Sequence, residues 1–367
     1  MDNIILTAKE RFVRTLTGQD IDRVPFISVF NPHPQTWKRW QYHRPDLIEQ
    51  LRAIPFEGCD RGWHDVGVNV GASRVPMATI MEDTAAYRIE RWGDGTVWRF
   101  DKQGDYNYHR LACPIQTPDD WRRYKDLFLD PDDPARFPAD WSRQLAVYRQ
   151  AEYPLMLKHH GIYGFARNNV GDEQLLLAMF DQPDFVHDLM DSYTDMVLQI
   201  WSKVVAEVQI DVIECWEDMA SNIGMLISPA MFEEFMAANY RKVVAFARQH
   251  HIPVVLVDSD GRVDQLAGLL ADCGVNAFYP MEVGAGNDAL ALHRQYPSLG
   301  FLGALRKEAL YEGSTRTEVD GEIEKARRLI AAGRIIPGLD HGPLSCADPE
   351  LYLYFYRRLY DVIYHEE

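Results

Sequence analysis

Two carboxylates one residue apart, Asp258 and Asp260, directly follow the apolar run Val254-Val255-Leu256-Val257 and precede Gly261. Side chains alternate along extended backbone, so positions i and i+2 share a side and these acids can act together. Acids and imidazoles recur at the ends of other apolar runs: His159 and His160; Glu214, with Trp216, Glu217 and Asp218; Glu282; and Asp340 and His341. The opposite ends carry Pro154, Ile210 and Pro253 instead. Crowded carboxylates have two chemical uses. They coordinate a divalent cation, with a histidine completing the set. Alternatively, mutual repulsion keeps one of them protonated near neutral pH, and it serves as a general acid. The expected catalytic and metal-binding set is therefore Glu217, Asp258, Asp260 and His341. His160, Trp216, Asp218, Tyr279, Glu282 and Arg306 are expected around the substrate, with Trp216 and Tyr279 as walls. Taken singly, Asp218 and Asp260 suit helix N-caps equally well. One of the paired histidines suits core packing, and Arg306 a surface ion pair. The argument for an enzyme rests on recurrence at strand end after strand end.

The elements that must position these residues can be read along the chain. Residues 7–17 form an amphipathic helix stopped by Gly18. Segment 34–63 is helical with Trp37, Trp40 and Tyr42 as anchors. Apolar runs at 26–30, 66–70, 154–158, 211–215, 254–258, 275–279, 299–303 and 335–337 make eight strands, separated from about 182 onward by regular helical patterns. Residues 87–110 alternate around Gly93-Asp94-Gly95 and Gly104-Asp105 and predict an antiparallel meander, an insertion spanning about 85–112. The expectation is an α/β fold: one (β/α)8 TIM barrel over 1–367, with an N-terminal helical extension and this β insertion. A barrel places its active site where the strands end. A doubly wound open sheet is disfavoured because no G-x-G-x-x-G opens a helix.

The 367 residues are 47% hydrophobic and 25% charged, as in a globular protein with a sizeable core. The net charge of −17 argues against nucleic acid as a partner. Met1-Asp2-Asn3-Ile4-Ile5-Leu6 has no signal-peptide character, and no run approaches the roughly 18 apolar residues of a membrane span. The cysteines, Cys59, Cys113, Cys215, Cys273 and Cys346, are scattered and never form C-x-x-C, as expected for reduced thiols in a cytoplasmic protein.

At the level of motifs the chain resembles the uroporphyrinogen decarboxylase superfamily. The resemblance rests on Arg11-Phe12-Val13-Arg14-Thr15-Leu16-Thr17-Gly18 through Asp22-Arg23-Val24-Pro25-Phe26, and on Trp216-Glu217-Asp218-Met219-Ala220. It continues in Ile227-Ser228-Pro229-Ala230-Met231-Phe232, Val257-Asp258-Ser259-Asp260-Gly261 and Ile336-Pro337-Gly338-Leu339-Asp340-His341-Gly342. It implies a (β/α)8 barrel with its site at the carboxyl-terminal mouth, and a homodimer. The superfamily divides. Its decarboxylases need no cofactor and carry an arginine run after the first strand to grip a polyanionic porphyrinogen. This chain has Phe30-Asn31-Pro32-His33-Pro34-Gln35 at that place. The other branch comprises methyltransferases that work with a corrinoid-bearing partner protein and hold zinc through H-x-C and a distal cysteine. Here Asp258-Ser259-Asp260 falls where H-x-C would lie, and Leu339-Asp340-His341 falls near the distal cysteine. The spacing is kept while soft donors become hard ones, which suits zinc or another divalent ion.

The leading expectation is a corrinoid-dependent methyltransferase or demethylase acting on a small methoxylated or N-methylated compound, with a divalent metal and a corrinoid protein as partner. One alternative is a cofactor-free decarboxylase of a smaller acid, in which paired acids protonate the carbanion. Another is a non-catalytic small-molecule binding protein.

Overall fold

The computed structural model describes residues 5–58, 62–105 and 107–365; Met1–Ile4, Cys59 and Tyr106, which the sequence reading used, lie outside them. Seven parallel strands form one curled sheet in chain order: β1 (His64–Asp65), β6 (Leu155–His159), β7 (Val212–Trp216), β10 (Val254–Asp258), β11 (Ala277–Tyr279), β12 (Gly300–Leu305) and β13 (Ile335–Leu339). The intervening strands belong to two antiparallel additions. One is a four-stranded sheet of β2 (Thr79–Asp83), β3 (Tyr87–Arg91), β4 (Val97–Asp101) and β5 (Tyr108–Ala112); the other is the short hairpin β8 (Ala220–Ser221) with β9 (Gly224–Met225). Thr79–Asp83 was not anticipated as a strand, because its exposed, short, mixed sequence shows no clean alternation.

The curl is visible in the two faces of the strands. Met156, Val212, Val254, Leu256, Ala277, Leu302 and Ile336 face one another in an inner cluster, whereas Leu157, Ile213, Val255, Val257 and Phe301 pack against the outer helices. The helix Ala8–Thr17 plugs the amino-terminal end of the curl, with Phe12 and Leu16 in the inner cluster. It starts in a reciprocal Thr7–Glu10 capping box and ends at Gly18 in the left-handed region. The early signature residues brace this plug. Arg11 binds both Asp22 and Glu57, Arg23 also reaches Glu57, and the Glu57 carboxylate accepts the Phe26 amide.

The eighth expected strand is not formed. Residues 26–29 are buried, Phe30 is half-buried, and the segment lies beside β13 but makes no ladder, so the sheet stays open between β13 and β1. The reason is local. Ser28 Oγ donates to the Phe30 carbonyl at 3.0 Å, and the Phe26 carbonyl is taken by the Glu57 amide. Contact with β13 is through side chains: a Cβ on Gly338 would come within 2.6 Å of Val29 Cγ2. The expected strand at 66–70 is likewise extended chain following the two-residue β1. Among the described residues of segment 34–63, the helical ones are Pro34–His43, a 3-10 turn and Ile48–Arg52. Among the described residues, no helix is long and apolar enough to cross a membrane.

Candidate active site

Alternation along three neighbouring strands sorts the charged residues between mouth and wall. On β6, Lys158 turns inward and His159 outward; on β7, Glu214 and Trp216 turn inward and Cys215 outward. Lys158 Nζ lies 3.2 Å from Glu214 Oε1, and the Tyr279 hydroxyl from β11 donates to the same carboxylate. Glu214 Oε2 is buried without a hydrogen-bond partner. Asp65 stands beside this pair at the end of β1. Desolvation and the nearby Glu214 push its pKa up to about 6, against the opposing effect of Lys158. On the outer side, His159 Nε2 is 2.9 Å from Cys215 Sγ, and burial beside Trp201 pulls the imidazole pKa down to about 3.

Above this floor, Asp258 at the end of β10 meets Asp260 and Asp218. One oxygen from each of the three carboxylates lies within 4.8 Å of the others. Burial and the charges of Glu214, Asp218 and Asp260 raise the Asp258 pKa well above the ordinary carboxylate range. Burial, with Asp260 next to it, also raises that of Asp218. Asp260 Oδ1 is 2.8 Å from His341 Nε2, and the imidazole stacks on Phe30 at 5.3 Å and 14°. Burial alone would lower the His341 pKa, but the hydrogen bond and charge of Asp260 outweigh it, so the ring holds its proton more tightly than usual. Its Nδ1 is buried without a protein partner.

The loops carrying these acids are locked together. The Glu217 amide donates to the Asp258 carbonyl, Met219 N–H to Ser259 Oγ, and Arg262 N–H to the Ser221 carbonyl. Gly261 lies at φ +82°, where a Cβ would meet the Ala220 backbone at 2.6 Å, so the turn after Asp260 requires glycine.

The expected site residues divide accordingly. Asp258, Asp260 and His341 come together, joined by Asp218. Glu217 stands apart: its carboxylate accepts the Ile162 and Gly164 amides at 2.8 and 2.9 Å and the Tyr240 hydroxyl, capping the helix Ile162–Val170. Glu217 was expected among the metal ligands; its two oxygens are engaged on the outer side of the curled sheet, away from the acid trio. Glu282 fixes the turn by accepting the Gly261 amide at 2.9 Å. Arg306 turns to Glu322, the surface pair that was its alternative, with the Arg306 amide also on that carboxylate. Tyr279 closes the floor rather than a pocket wall. His160 and Trp216 face each other at 6.3 Å beside Asp218 and border a cavity of about 420 Å³.

The four-stranded sheet roofs that cavity. Trp92, Trp98, Tyr108 and Arg110 come from the sheet, and Phe165 and Arg167 from the helix below. At the far end of the roof, Asp105 Oδ2 accepts from the Ser345 amide and hydroxyl at 2.9 and 2.6 Å, and Oδ1 lies 3.2 Å from His33 Nδ1. The roof thus touches ground on both sides of the mouth. Sequence reasoning missed Lys158, Asp65 and the rim residue Arg167, whose Nη1 donates to the Asp218 carbonyl at 2.7 Å.

The three carboxylates form a hard oxygen donor set with His341 at its edge, and the side-chain cations acting on them are Lys158 and Arg167. Such a set fits a divalent ion better than it fits an empty acidic pocket. The family profile of uroporphyrinogen decarboxylase (URO-D) matches residues 110–356. No match is found among curated proteins. Among solved structures, a methyltransferase from Methanosarcina mazei has 17% identity and a TM-score of 0.60, covering 97% of this chain and 99% of its own. A B12-independent methionine synthase from Shewanella sp. W3-18-1 in complex with selenomethionine has 10% identity and a TM-score of 0.46, covering 93% and 97%.

Proposed function

The chain belongs to the uroporphyrinogen decarboxylase family, and from that premise we propose a methyltransferase that removes a methyl group from oxygen or nitrogen of a small compound and passes it to a corrinoid protein. In this reading the curled sheet is a (β/α)8 barrel whose eighth stave is the unladdered segment 26–30. The observation that carries the proposal is the convergence of Asp218, Asp258 and Asp260 with His341 at the strand ends. Asp218, Asp258 and Asp260 would hold a divalent metal, zinc or another. That ion would supply Lewis-acid polarisation of the leaving heteroatom. The partner's corrinoid would be the methyl acceptor.

The remaining chemistry belongs to this chain's own residues. His341 is held by Asp260 and stacked on Phe30, and the Asp260 carboxylate favours its protonated form. Its Nδ1 is the atom from which the leaving oxygen or nitrogen takes that proton, making a better leaving group. Lys158, Glu214 and Tyr279 form the floor beneath Asp258, where the charges of Glu214 and Lys158 act on it in opposite senses. Trp216 and His160 exclude water from the side facing the cavity. The loop 30–35 carries no arginine, which removes the usual means of gripping a polycarboxylate porphyrinogen.

The test is to incubate the protein with cob(I)alamin and a panel of O- and N-methyl donors while following the cobalt spectrum. A methyl–cobalt band that disappears with chelator is expected; its absence over a broad panel refutes the proposal. A second reading, decarboxylation of a smaller acid, is favoured by one observation, the burial that keeps Asp258 inclined to protonation. It predicts CO2 release that chelators leave unchanged.

A further inference from the structure

Trp98 on β4 and Arg110 on β5 are directly opposed across the ladder, so they share one face of the roof sheet, and both border the cavity beside Asp218. Arg110 Cζ lies 5.3 Å from the Trp98 ring centroid. Two of its nitrogens are committed: Nη1 donates to the Arg167 carbonyl at 2.9 Å and Nη2 to Asn168 Oδ1 at 2.7 Å. The third, Nε, is buried without an acceptor, and so is Trp98 Nε1. Buried donors are nearly always satisfied in folded proteins, and two orphans on neighbouring side chains at one cavity ask for a shared acceptor. The rest of the wall is flat and aromatic: Trp92 and Tyr108 lie 5.6 and 6.0 Å from Trp98. Asp218 borders the same cavity and belongs to the acid trio, so the cavity reaches that trio through Asp218.

We infer that the roof sheet is the specificity element of the enzyme, and that the substrate is a planar aromatic compound carrying a carboxylate. The carboxylate accepts from Trp98 Nε1 and Arg110 Nε, the ring lies between Trp92, Tyr108 and Trp216, and the methylated end points to Asp218. The choice of an anion over a cation follows from the donors. An aromatic box built for an ammonium group needs open ring faces, whereas here Arg110 already occupies the position beside Trp98. This inference rests on the proposed methyl-transfer site, since it says what that site binds.

Binding is measured by calorimetry and tryptophan quenching with benzoate, benzamide and trimethylanilinium, on the full chain. Benzoate is expected to bind tightest and trimethylanilinium weakest. Trp98→Phe keeps the ring and removes one N–H, and should weaken benzoate by about tenfold or more, the worth of a hydrogen bond to a charged acceptor. Arg110→Gln, the second variant, should weaken benzoate by a similar factor and leave benzamide little changed. Asp258→Asn should retain benzoate affinity. Preference for trimethylanilinium, benzoate affinity unchanged in both roof variants, or loss of benzoate in Asp258→Asn would each overturn the inference. If no donor methylates cobalt while benzoate still depends on Trp98 and Arg110, the reaction is wrongly assigned and the recognition stands.

Discussion

Replacing Asp258 by asparagine should stabilise the metal-free protein and remove its response to metal. The side chain is 8% exposed, and Glu214, Asp218 and Asp260 all oppose its ionisation. In the unfolded chain an aspartate ionises at about pH 3.9; holding it protonated in the fold at pH 7 costs at most about 4 kcal/mol, from 1.36 kcal/mol per pH unit. Because the folded pKa is raised, the penalty is absent below the unfolded pKa and grows as pH rises above it. Asparagine is nearly isosteric and carries no charge, but its amide needs partners, so the net gain should lie between about 1 and 4 kcal/mol at pH 7.5 and vanish near pH 4. Urea unfolding with chelator at the two pH values measures this. Adding a divalent ion at 100 times its dissociation constant should then stabilise the parent by about 2.7 kcal/mol and the variant by much less, narrowing the gap between them or reversing it where the gap is below about 2.7 kcal/mol. A variant no more stable than the parent at pH 7.5, or a gain of equal size at pH 4, would refute the idea that this carboxyl is strained. Equal stabilisation of both proteins by metal would refute its assignment as a ligand.

Other residues have separable effects. His159, with its pKa near 3 in the fold, contributes stability that is complete above the unfolded value of about 6.5 and is lost as pH falls toward 3. At pH 4.5 the loss should be about 2.7 kcal/mol, and the pH slope between 6.5 and 4.5 should flatten in His159→Gln, as measured by chemical unfolding across that range. Glu217→Ala strands the Ile162 and Gly164 amides and the Tyr240 hydroxyl and should cost about 3–5 kcal/mol, while metal affinity of the folded fraction, measured by titration, stays near that of the parent. Gly338→Ala pushes a methyl into Val29 and should cost about 1–3 kcal/mol in urea unfolding. It should also lower methyl-transfer turnover, because the displaced segment carries Phe30 away from His341.

The curled sheet was legible because six of its strands are short apolar runs bounded by turn residues, and β10 was read to the residue. The eighth stave was not legible, since 26–30 has the composition of a strand and loses its ladder only to Ser28 and Glu57, partners that composition does not reveal. Within the site, the i, i+2 rule brought out Asp258 and Asp260. Applied with equal rigour to β7 and the residue after it, the same rule places Glu214 and Trp216 on one side and Cys215 and Glu217 on the other, while Asp218 lies past a left-handed turn at φ +45°. That sorting agrees with the contacts: Glu214 meets Lys158, Cys215 meets His159, and Glu217 caps an outer helix. The choice of Glu217 therefore followed from reading acids by proximity to a strand end instead of by parity along it, and Asp218 is brought in by a turn that parity does not describe. Parity ends at the Asp218 turn and again past β13, where the chain turns at Asp340. That carboxylate, fully buried, binds the Val283 and Lys307 amides and leaves the next residue, His341, to face the mouth. No sequence period encodes that turn, so the residue proposed to carry the proton is placed by two backbone amides from neighbouring loops.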